Sequence, residues 1–211
     1  MSLGLLPRLL AHLRDKIAVL LGLAIGICVP YFALGRVQAF PLRELPVTPL
    51  DDWIGFDPRW IWPYLSLALL VPLSLVLATS RECLLRYAKG LALLCGICFA
   101  VFLLFPVEGP RPQTLPDHAM YRVLVGYDRP SNSLPSLHAG LTCYSMLFAY
   151  RVLRDAVSRR GRVALVAVAS SWGAVILYAT LATKQHGAID LVAGLLVAYL
   201  AHRFVWRKAL S

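Results

Sequence analysis

The fold this sequence predicts is all-α, a bundle of six membrane-crossing helices with a short helix lying on the interface at its N-terminus. Three observations carry that expectation. Of its 211 residues 59 % are hydrophobic and only 15 % charged; the apolar residues fall into long uncharged runs; and the basic residues collect in alternate gaps between those runs. A mean hydropathy of +0.67 is far above what a water-soluble domain of this size tolerates.

Residues 1–16 place Leu5, Leu6, Leu9, Leu10 and Leu13 among Arg8, His12, Arg14 and Lys16, the pattern of a helix lying at the interface. A signal peptide is the rival, but Tyr31 and Phe32 stand where small residues would mark cleavage. The runs 17–35, 60–80, 90–107, 130–150 and 163–183 each approach the roughly 20 residues that cross hydrocarbon as a helix. A sixth run extends from Gln185 to about Val205 and carries Asp190 one turn inside, where an acid needs a partner or a water-filled cavity. The expected organisation is an interfacial segment at 1–16, one helical domain at 17–206 and a tail at 207–211.

A net charge of +10 invites a nucleic-acid reading, but the charge follows the membrane. Arg8, Arg14 and Lys16, then Arg81, Arg86 and Lys89, then Arg151, Arg154, Arg159, Arg160 and Arg162, then Arg203, Arg207 and Lys208 share their segments with only Asp15, Glu82 and Asp155. The intervening segments hold Arg36, Arg43, Arg59, Arg111, Arg122, Arg129 and Lys184 against the remaining eight acids. By the positive-inside rule both termini are expected in the cytoplasm and the first, third and fifth loops outside. Cys28, Cys95, Cys98 and Cys143 fall within spans and Cys83 in a cytoplasmic gap, so they read as small apolar residues and not as a disulfide or metal set.

The polar residues within or beside the spans gather on the expected outer side. At about 1.5 Å per residue, His138 stands roughly 20 Å from the basic end at Arg151, and His186 roughly 26 Å from Arg203. His186 and Asp190, at i and i+4, share a helix face, so a carboxylate on Nδ1–H leaves Nε2 as a lone pair. A buried histidine satisfied by a structural acid is the alternative at this point. In Asn132-Ser133-Leu134-Pro135-Ser136-Leu137-His138, Ser133 is the expected N-cap and Pro135 a first-turn residue. The resulting helix N-terminus, with the Ser136 hydroxyl, favours a phosphate. Prolines flank Arg111 in Glu108-Gly109-Pro110-Arg111-Pro112, and Lys184 precedes His186 by two residues. Two cations, two histidines, a helix start and an acid suit a tetrahedral anion that gains charge in its transition state.

Arg111-Pro112, Pro135-Ser136-Leu137-His138 and His186-Gly187-Ala188-Ile189-Asp190 resemble, in order, the three signatures of the type 2 phosphatidic acid phosphatase superfamily. The departures are Leu104 in place of the first-signature lysine, Leu137 in place of a glycine, and Ala179-Thr180 in place of Ser-Arg. Lys184 stands in for the lost arginine in a way that resembles the inositol phosphorylceramide synthase-like branch, itself similar to sphingomyelin synthases. The resemblance implies a lipid phosphate as substrate and a metal-independent enzyme without a cofactor. In it His186 attacks phosphorus, Asp190 steadies the ring, and His138 protonates the leaving oxygen. Arg111, Lys184, Ser136 and the backbone at Leu137 then hold the other oxygens. Lipid phosphate hydrolysis is the leading expectation and headgroup transfer to an alcohol the alternative. A bis-histidine haem bundle or a transporter is the reading outside catalysis.

Overall fold

The computed structural model of the protein describes residues 10–37, 39–112, 114–128, 131–154 and 158–207. Residues 1–9 of the expected interfacial segment and 208–211 of the expected tail lie outside them. Helix α1 (Leu13–Leu34) follows His12, whose backbone is left-handed at φ 54°. Near its start the Lys16 ammonium donates to the Val76 carbonyl at 2.8 Å, tying this end of α1 to the end of a later helix.

A loop then carries strand β1 (Arg43–Glu44), helix α2 (Pro49–Trp53) and a 3-10 turn (Pro58–Trp60) into α3 (Ile61–Leu65) and α4 (Leu67–Val76). The second run, expected as one helix, is interrupted at Ser66, whose hydroxyl turns back onto the Pro63 carbonyl. Helix α5 (Arg81–Leu104) starts nine residues before the apolar run does, because Ser80 accepts the Cys83 N–H at 3.1 Å and Glu82 favours the positive helix end. Arg86 and Lys89 are therefore helical and not loop residues. After α5 come β2 (Val107–Glu108), α6 (Ala119–Tyr127), α7 (Leu137–Leu153), α8 (Arg159–Ala182) and α9 (Ala188–Trp206).

Among the described residues, five segments are long and apolar enough to cross a membrane: Leu13–Leu34, Pro58–Val76, Arg81–Leu104, Arg159–Ala182 and Ala188–Trp206. The remaining expected span, α7, has 17 residues. It covers about 26 Å and lies at the short end of the crossing range. It is nonetheless the hub, packing against α4, α5, α8 and α9. In lipid, helices associate through close packing of small residues more than through hydrophobic transfer. The α7–α9 contact shows this: a Cβ added at Gly194 would collide with the Ser136 carbonyl oxygen.

That approach makes Gly194→Ala a sharp test of the packing. The obstacle is backbone, so the start of α7 has to move, and overpacking of this kind costs about 1–3 kcal/mol. The expected result is a lower thermal midpoint together with reduced activity, because the displaced residue, Ser136, belongs to the site described below.

The connecting loops on one side are knitted together. β1 pairs in parallel with β2, Arg43 opposite Val107 and Glu44 opposite Glu108, and Val107 also bridges Asn132. A Cβ at Gly109 would meet Ser133 Oγ at 2.5 Å and the Gln185 carbonyl at 3.2 Å. The turn before Arg111, the loop before α7 and the loop before α9 are thus in mutual contact.

Candidate functional site

The α8–α9 loop reverses the chain tightly. Gln185 and His186 both donate their N–H to the Thr180 carbonyl, at 3.2 and 3.3 Å, and Lys184 adopts a left-handed φ of 53°. A non-glycine residue there carries about 1–3 kcal/mol of strain and persists only where its surroundings impose it. Helix α9 begins at Ala188 with Gly187 as its N-cap, so His186 precedes the helix and does not open it as the spacing suggested. The contact with Asp190 forms all the same, with Nδ1 3.1 Å from Oδ2. His186 is 4 % exposed and Asp190 fully buried. The carboxylate therefore faces Nδ1 and fixes the tautomer in which Nε2 carries the lone pair.

Helix α7 also starts later than its sequence suggested. The N-cap is Ser136 and not Ser133: its Oγ accepts the Ala139 N–H at 3.2 Å, leaving Ser133 and Pro135 in the preceding loop. Capping occupies one lone pair of the hydroxyl, and its proton stays available to donate. The Ser136 N–H donates to the Asp190 carbonyl at 2.9 Å, which locks the starts of α7 and α9 together. Leu137 and His138 fall in the first turn, where backbone N–H groups have no acceptor within the helix. The His138 ring stacks on Tyr64, centroids 4.0 Å apart and planes 21° apart. Its centroid is 5.6 Å from that of His186.

Arg111 is held at one corner of its guanidinium. Nη2 lies 3.3 Å from Asp128 Oδ2, and the other Asp128 oxygen accepts the Tyr31 hydroxyl at 2.7 Å. Nε and Nη1 are buried and have no partner among the described residues. Buried unpaired donors are costly, and an anion would satisfy both. Lys184 is disposed differently: its ammonium donates to the Asp51 carbonyl and, at 2.7 Å, to the Ile54 carbonyl. Two of its three donors are therefore spent on backbone. Leu104, at the end of α5, is exposed.

Several residues at this site carry no signal in the sequence. Tyr64 stacks on one histidine, Asp128 and Tyr31 steady Arg111, and Asp51 accepts the Ala188 N–H at the start of α9. The Tyr121 hydroxyl donates to the Thr183 carbonyl and receives the Gln185 amide, and burial pushes its phenol above the usual range, so it stays a donor. No local pattern marks any of these, since each partner lies far away in the chain.

Two clefts meet at His138. One, of about 320 Å³, is walled by Tyr31, Phe32, Tyr64, Met120 and Tyr127 among others. The second, of about 310 Å³, runs between α1 and α4 past Leu20, Ala24, Cys28, Ala68 and Pro72. Ala24, Cys28, Phe32 and Ala68 are exposed on the bundle surface, so the clefts open sideways.

No curated protein and no solved structure matches the chain. The family model described as PAP2 superfamily matches residues 83–210, which include Arg111, the α7 start and the His186–Asp190 pair. Members of that group are phosphatases or phosphotransferases. With more than half of its length matched, the chain belongs to the PAP2 superfamily.

Proposed function

We propose that the protein is an integral membrane lipid phosphate phosphatase that works through a phosphohistidine intermediate. The observation that carries this reading is the juxtaposition of the buried His186–Asp190 pair with the His138 ring, 5.6 Å away between centroids. A phosphorus roughly 3–3.5 Å from one ring, with its leaving oxygen in hydrogen-bond reach of the other, fits that separation.

His186 Nε2 forms a bond to phosphorus as the bond to the leaving oxygen breaks, and His138 gives that oxygen its proton. Asp190 stabilises the positive charge that appears on the His186 ring. His138, now a base, takes a proton from water, whose oxygen attacks phosphorus and breaks the N–P bond. Arg111 Nε and Nη1, the Ser136 hydroxyl and the N–H groups at Leu137 and His138 hold the non-bridging oxygens, and Lys184 has one donor left for the same purpose. The sideways-opening clefts accept the hydrocarbon tail.

One observation favours a second reading, headgroup transfer of the kind carried out by inositol phosphorylceramide synthases. The clefts that meet at His138 together give room for a donor lipid and an acceptor lipid. The purified protein, given a lipid phosphate or phosphodiester with and without an alcohol acceptor, distinguishes the two. Phosphate release without acceptor supports hydrolysis, whereas new lipid formed only with acceptor supports transfer. Either activity is expected to survive excess EDTA, because fixed cations supply the charge stabilisation. Loss on chelation, restored by one divalent ion, would instead make the His/Asp pair a ligand set.

The site is assigned to the non-cytoplasmic face on loop charge. Single cysteines at Thr114 and Ser158, in a background with the five native cysteines replaced, report it. Thr114 is expected to react with an impermeant thiol reagent in intact cells, and Ser158 only after permeabilisation. The reverse pattern would move the histidines to the cytoplasmic side.

A further inference from the structure

We propose that Asp51, in the loop between α1 and α3, is a positioning residue for the nucleophilic histidine, acting as a clamp on both sides of His186. This rests on the role proposed for His186 above. The loop that carries His186 lacks local means of holding its shape. Lys184 sits in a left-handed conformation that its own side chain disfavours, and Gly187, the N-cap of α9, has no side chain with which to cap.

Asp51 supplies both needs from a distant part of the chain. Its Oδ1 accepts the Ala188 N–H at 2.8 Å, satisfying one of the first N–H groups of α9, which have no acceptor within the helix. Its own carbonyl, together with that of Ile54, accepts the Lys184 ammonium and anchors the left-handed residue. Oδ2 is fixed in turn by the N–H and hydroxyl of Thr48, at 2.8 and 2.7 Å. Asp51 is 3 % exposed, a buried acid with no role in the chemistry. A Cβ at Gly187 would strike Leu45 Cδ2 at 2.6 Å and come within 3.5 Å of Asp51 Oδ1, so the loop carrying Asp51 packs directly on the start of α9.

The clamp matters for turnover because His186 lies outside α9 while Asp190 lies within it. Their 3.1 Å contact holds only while the start of α9 and the preceding loop keep one relative position. Asp51 joins those two segments directly. Loosening it lets the imidazole leave the line of attack without removing any group that touches the phosphate.

Three variants, Asp51→Ala, Asp51→Asn and Thr48→Val, are compared with the intact protein and with His186→Ala. Asp51→Ala is expected to lower kcat at least about tenfold while KM changes less than about threefold, the signature of lost alignment. Asp51→Asn, whose amide oxygen still accepts the Ala188 N–H, is expected to keep at least about a third of kcat. Thr48→Val removes one bond to Oδ2 and shifts kcat in the same direction by a smaller factor. It decides the matter if Asp51→Ala does not fold.

A second readout does not need turnover. Site-resolved labelling by diethyl pyrocarbonate, with exposed His12 as internal reference, is expected to show His186 modified faster in Asp51→Ala and near the unmodified protein's rate in Asp51→Asn. Unchanged kcat and unchanged His186 labelling in the folded alanine or valine variants would overturn the clamp. If the intact protein shows no phosphate transfer, or His186→Ala retains it, the proposed function fails, and the labelling arm still judges the clamp alone.

Discussion

Replacing His186 with alanine is expected to lower turnover by a factor on the order of 10⁴ or more, the scale on which removing a nucleophile acts. The side chain is almost fully buried, yet it sits in a loop at the rim of the bundle and packs in none of the apolar clusters that hold the helices together. Size-exclusion behaviour and thermal midpoint should therefore stay close to those of the intact protein. Brief incubation with a radiolabelled lipid phosphate followed by an alkaline quench should trap acid-labile phosphate on the intact protein and none on the variant. Asp190→Asn should fall by roughly 10²–10⁴-fold, because an amide facing Nδ1 neither stabilises the charged ring nor enforces the required tautomer. Substantial residual turnover in a folded His186→Ala protein would remove the histidine from the reaction.

Arg111→Lys is the second large effect, and it separates charge from geometry. The guanidinium bonds Asp128 through one nitrogen, and Nε and Nη1 are buried with no partner among the described residues. A lysine keeps the charge but concentrates its donors at one point, so it satisfies either Asp128 or a phosphate oxygen and not both in the same geometry. Losing a preorganised donor of this kind costs roughly 10²–10³-fold in kcat. Asp128→Asn should weaken the hold on Arg111 and act less severely, since the donors aimed at the phosphate remain. Near-normal kcat in Arg111→Lys would mean that the arginine serves the Asp128–Tyr31 cluster and not the substrate.

The helices were readable in the sequence because an uncharged run of sufficient length has few other uses, and the runs ending near Gly35, Val107 and Thr183 lie close to observed helix ends. Their starts were less readable. Ser80 and Ser136 cap α5 and α7 in preference to the apolar boundary and to Ser133, and several serines offer themselves as caps in each stretch. The His186–Asp190 contact was legible because four residues of chain suffice to bring the two side chains together. The i,i+4 spacing predicts one continuous helix, whereas the observed pair spans a helix boundary. Asp51 and Asp128 were not legible: their partners at Ala188 and Arg111 lie 137 and 17 residues away, and only the folded loops bring them into contact. The sequence offers Lys184 as a cation for the phosphate, and its position there says nothing of the two carbonyls that bind it.

The clefts beside His138 open between helices and not through the loops. A lipid that enters them slides in from its own leaflet and never crosses water. What determines occupancy of the site is then the number of substrate molecules per unit of membrane, not per unit of solution. A small amount of lipid confined to a bilayer is a concentrated reactant in two dimensions, and any bystander lipid or detergent that dilutes it there lowers the rate without changing the bulk amount. On the proposed lipid phosphatase reading, the open flank of α1 thus makes the composition of the surrounding leaflet a control on turnover.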